Sequence, residues 1–109
     1  SLNMKTYYPN VVFAGYTCKI IWGRYPNGNL AIRLQDINSG NPIATATTNL
    51  VEVVMESGHV CIKDYRENEG MVNALSKAGI VEKIVRPRPV AVLNLTPEAL
   101  TLLQESRPK

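Results

Sequence analysis

One histidine, one tryptophan, one phenylalanine and two cysteines are all that 109 residues contain of those types. Each scarcity argues against a class of chemistry. Nucleophilic catalysis of the hydrolase kind needs a base beside its nucleophile. The sole histidine, His59, follows a predicted turn, and the chain has no Gly-x-Ser-x-Gly elbow. It reads as a loop-edge residue without a catalytic role, and no enzyme is expected. A structural zinc site wants about four Cys or His ligands at close spacing. Cys18, His59 and Cys61 are too few and too scattered, so neither metal nor cofactor is expected. Two cysteines fall short of the disulfide framework of a small secreted domain. Both lie in apolar, strand-like runs and are expected as free, buried thiols. Neither Gly-x-Gly-x-x-Gly nor a Walker pattern occurs, and the seven glycines fall at predicted turns, caps and bends. No run approaches the ~20 apolar residues of a membrane-spanning helix. The first residues lack the pattern of a secretory leader, so the expectation is a cytoplasmic protein without membrane contact.

What is present suits one small folded unit. Hydrophobic residues make up 45% and charged residues 19% of the sequence, enough apolar surface to offset chain entropy and to argue against disorder. The net charge of +3 and the pI of about 9.0 are only mildly basic. That balance favours contact with anionic surfaces slightly and says nothing of fold.

Along the chain, Val11 to Trp22 is β-branched and aromatic with a break at Gly15, a bent strand or two short ones. Pro26-Asn27-Gly28-Asn29 follows. Asn-Gly between alternating apolar runs predicts a hairpin with a two-residue type I′ turn. Leu30, Ile32 and Leu34 alternate with Ala31, Arg33 and Gln35 as a half-buried second strand. A third strand is expected over Ile43–Thr48, and His59–Lys63 reads as another, with Leu50–Met55 between them as strand or irregular segment. The period then changes. Asp64 to Ala78 predicts a central helix over about 65–78, with Asp64 and Glu67 as a capping box and Asn68 as a second candidate cap. Gly79 and Ile80 predict a Schellman stop. Val81–Val85 and Val90–Leu95 read as strands joined by Arg86-Pro87-Arg88-Pro89. Thr96-Pro97-Glu98 opens a short C-terminal helix over about 97–105. The order of elements predicts an α+β fold with a mainly antiparallel sheet, in a single domain over residues 1–109.

Three features carry the candidate functional residues. Asp64, Glu67 and Glu69 cluster beside Tyr65 and Asn68. Carboxylates so placed do acid–base work or hold a divalent cation, but acids at a helix start are expected from capping alone, and that reading is preferred. Trp22 depends on hairpin register. A strict two-residue loop places Trp22 opposite Arg33 with Arg24 alongside, a face suited to stacking on a base or anchoring a partner. A one-residue bulge places Trp22 opposite Ile32 and buries it, and that second register is preferred for a lone tryptophan. Lys83, Arg86 and Arg88 add positive charge near the proline-rich connection.

The stretches Tyr25–Leu34, Gly40–Leu50 and Ile62–Met71, above all Ile-Lys-Asp-Tyr-x-Glu-Asn-Glu-Gly-Met, resemble a family of short, uncharacterised bacterial proteins from phage, plasmid and integrative-element genes. The resemblance spans roughly residues 20–80 and implies an accessory role in such a setting, with no catalytic residue to carry over. The reading that results is a small non-enzymatic module that binds another protein. Its candidate surface is Trp22, Arg24, Arg33, Asp64, Tyr65, Glu67, Asn68, Glu69, Arg86 and Arg88. The alternative is a nucleic-acid-binding accessory protein using the basic, tryptophan-bearing face. Exposed strand edges leave a homodimer open.

Overall fold

The computed structural model describes residues 10–106. Two antiparallel sheets and two helices make an α+β fold. The first sheet runs in the order β1 (Val11–Phe13), β2 (Tyr16–Arg24), β3 (Leu30–Asp36), β4 (Pro42–Thr45). In the second, β7 (Ala91–Leu95) lies between β5 (His59–Ile62) and β6 (Val81–Arg86). Residues 46–48 join the sheets. The Ala46 amide donates to the Ile32 carbonyl, while the Lys63 and Thr48 amides donate to Ala46 and Cys61. Thr47 pairs with Ile62 as an isolated bridge, so the strand expected over Ile43–Thr48 splits between two partners.

The first two of the three hairpin turns in the first sheet differ in type from the expectation, and the second gives the bulged register preferred for Trp22. The break at Gly15 is the two-residue turn, since Phe13 pairs with Tyr16 and both Ala14 and Gly15 have positive φ, at 54° and 84°. That is the signature of a type I′ turn, adopted without an Asn-Gly pair. At Pro26-Asn27-Gly28 the loop has three residues. Tyr25 donates to the Asn29 carbonyl, Gly28 donates to the Tyr25 carbonyl, and only Gly28 has positive φ, at 91°. A type I turn closed by a left-handed glycine uses the same letters as the type I′ turn and shifts the register by one residue.

That shift decides which side chains are buried. Trp22 stands opposite Ile32, Ile20 opposite Leu34 and Cys18 opposite Asp36. Ile32, Leu34 and Cys18 are fully buried, and Ile20 and Trp22 pack half-buried against them. The opposite face shows Lys19, Ile21 and Arg33 to solvent. One core runs from Val11 and Leu34 through Val60, Ile62, Leu93 and Leu95 to Met71, Leu75 and Ala99. Each fully buried leucine or isoleucine there contributes about 1.5–3 kcal/mol.

The central helix is shorter than the sequence suggests. A 3-10 turn covers Arg66–Asn68, and helix α1 spans only Met71–Lys77. Gly70 separates them with φ of 93°, a left-handed backbone that no helix continues through. The helix stop is as expected. Ile80 donates to Leu75 and Gly79 to Ser76, the two bonds of a Schellman motif, with Ile80 and Leu75 both buried. Helix α2 spans Pro97–Ser106. Its cap, Thr96, accepts from the Ala99 amide at 3.0 Å and donates to the Gly79 carbonyl at 2.6 Å, so one hydroxyl ties both helix ends together.

Candidate functional site

The ten candidate surface residues do not form one surface. Trp22 is on the core face of β2, whereas Arg33 is on the outer face of β3, opposite Ile21 and Thr45. The arrangement of Trp22 beside both Arg24 and Arg33 is therefore not adopted. The one-residue shift at Gly28 put the two on opposite sides of the sheet. Arg24 closes β2, where its Nη1 donates to the Gly28 carbonyl at 2.8 Å. Arg86 ends β6 opposite Val92, and Arg88 lies exposed in the connection that follows. Arg86 acts on Cys61: burial pushes that thiol up, and the guanidinium pulls it back in part. Cys18 is likewise free, buried and raised, chiefly by burial and then by Asp36.

The acidic segment resolves into local structure. Asp64 accepts from the Gly70 amide at 2.6 Å and from the Val72 amide at 3.2 Å, which caps α1 across the 3-10 turn. The capping box is thus replaced by a single carboxylate reaching over a longer loop. Glu67 pairs instead with Lys63 at 2.6 Å. Its carboxyl is lowered from the ordinary value, first by the hydrogen bond from Lys63. Asn68 is buried, and its Nδ2 donates to the Thr45 carbonyl at 2.7 Å, tying the turn to β4. Glu69 is exposed, and Tyr65 lies with its ring centroid 5.5 Å from the Lys63 ammonium. No group of three or more His, Cys, Asp or Glu residues among the described residues is placed to hold a metal ion. Asp64, Glu67 and Glu69 accordingly do not converge on one point.

A different feature emerges between β4 and β5. Residues 49–55 are neither strand nor helix, yet side chains of the β2–β3 hairpin fix them. Asn29 is buried, with its Nδ2 donating to the Val53 carbonyl at 2.7 Å and to Asn49 Oδ1 at 3.0 Å, while its Oδ1 accepts from the Met55 amide at 2.8 Å. Asn27 Nδ2 donates to the Val51 carbonyl at 3.2 Å. Tyr25 adds a hydroxyl contact to Thr47 Oγ1 at 3.0 Å, just upstream. The strap so held turns its valines outward. Val51 and Val54 are 75% and 74% exposed, and Val53 39%.

Of the two readings offered for Leu50–Met55 the irregular one holds, but the strap's outward valines were not foreseen because Val51-Glu52-Val53-Val54 has the composition of a buried strand. The signal that pointed to it was the second asparagine of Asn-Gly-Asn, which the turn itself does not need. No family model, no curated protein and no solved structure matches this chain.

Proposed function

We propose that this protein is a small non-enzymatic module that docks onto another protein through the strap Val51–Val54. The observation that carries this reading is the pairing of three outward valines with a buried asparagine whose side chain makes three bonds that hold them there. Contiguous exposed apolar side chains mark interaction sites, and a loop held rigid on a scaffold loses little entropy on binding. Burying two valine side chains contributes about 3 kcal/mol at ordinary transfer values. The accessory role implied by the resemblance to short phage and mobile-element proteins suits such a module, as does a cytoplasmic setting.

The nucleic-acid alternative loses its stacking residue, because Trp22 faces the core side of the sheet. What remains to it is the outer face with Lys19 and Arg33, and it becomes one arm of the test. Tagged protein and its Val51→Asp/Val54→Asp variant are each used to capture material from nuclease-treated and untreated bacterial lysate. One protein species retained in both halves by the parent, and lost by the variant, supports docking through the strap. Capture that vanishes with nuclease, or that the variant leaves unchanged, contradicts it.

A further inference from the structure

We propose that the cleft between the β2–β3 hairpin, the turn before β5 and helix α2 binds a small amphipathic carboxylate. The cleft encloses about 340 Å³, within the range of small-molecule sites. Its apolar lining is Leu30, Met55, Leu100 and Leu103. Leu30 is buried, and both helix leucines pack against the core, so this floor is part of the fold. Arg24 stands among the polar lining residues, as does His59.

The walls are fixed before any ligand arrives. The Met55 amide is held by Asn29 at 2.8 Å. The turn that follows is closed by His59 donating to Glu56 at 3.0 Å, and is tied to β7 by Leu95 donating to Gly58 at 2.8 Å. Arg24 is aimed by its bond to the Gly28 carbonyl. A guanidinium has five N–H donors, and among the described residues Arg24 makes no ion pair. Its other donors make no hydrogen bond to the described residues and suit a carboxylate in the two-pronged geometry of arginine. Glu56 also lines the cleft, but on an exposed turn, with no side-chain hydrogen bond to the described residues and no ion pair to Arg24. The anchored charge is the positive one, and it sets the sign of the ligand's head. The four apolar side chains set its body.

The test is an NMR titration of the full chain with three probes that share one tail: octanoate, octanol and octylamine. Octanoate is expected to give saturable shifts at Leu30, Met55, His59 and Leu103. The other two are expected to bind about tenfold or more weakly, the usual loss when a charge-assisted hydrogen bond is removed. Arg24→Gln should reduce octanoate to the level of octanol while leaving the remaining spectrum in place. Equal binding of all three probes, stronger binding of octylamine, or shifts that never saturate would overturn the proposal. The probe comparison needs no variant, so it stands even if Arg24→Gln perturbs the hairpin.

Discussion

Asn29 makes three side-chain bonds inside the molecule, and each reaches the strap. Replacement by alanine leaves the Met55 amide without its acceptor and the Val53 carbonyl without its donor. The expected loss is about 2 kcal/mol, since partly buried hydrogen bonds worth about 1 kcal/mol each are removed. Urea unfolding measures the loss, and amide exchange at residues 50–55 should accelerate more than exchange in α1. Glu67 gives a second prediction at this scale. Because Lys63 holds its pKa below the ordinary 4.5, the pair's contribution is complete above that value and fades as pH falls through the lowered one. A carboxyl titration by NMR should find the Glu67 midpoint below 4.5, and Lys63→Gln should move it upward. Neither role was readable from the sequence in full. The acids near a helix start were recognisable as structural, but which one caps depends on a left-handed glycine at position 70 that the letters alone leave ambiguous.

At the scale of elements, local chemistry was legible and loop length was not. The Schellman stop at Gly79 and the threonine cap of α2 involve neighbours in sequence, and both form as their residues demand. The hairpin at Asn27-Gly28 is where it was expected, with the three-residue loop of the bulged register in place of the two-residue type I′ turn. The same two letters serve both turn types, and the choice between them moved Trp22 and Arg33 to opposite faces. The true type I′ turn lies at Ala14-Gly15, where alanine occupies a left-handed conformation with φ of 54°. That backbone costs an L-residue about 1–2 kcal/mol, offset in part by the extra chain entropy of glycine. Ala14→Gly is therefore expected to stabilise the protein by about 0.5–1 kcal/mol. Thermal unfolding that shows a lower midpoint for this variant would refute the turn assignment. The strand edges bear on self-association. β1 is three residues long, and β6 shifts register twice, at Lys83, whose φ is positive, and again at Val85. Short or bulged edges discourage pairing with a second copy.

Over the whole molecule, two sheets share one core through the 46–48 crossing, and the strap rides between the strands that flank it. No helix among the described residues is long and apolar enough to cross a membrane. The α+β class and the two helices followed from the change of hydrophobic period, because that signal sums over many residues. The strap did not, because its latch joins residues more than twenty positions apart. Site-specific photo-crosslinking tests docking through Val51–Val54 most directly. A benzophenone side chain is placed at Val54, or as a control at Lys19 on the outer face of the first sheet. Both proteins are irradiated in nuclease-treated bacterial lysate. The account predicts one discrete protein adduct from position 54 and none from position 19. The same adduct from both positions, or none from position 54, would contradict it.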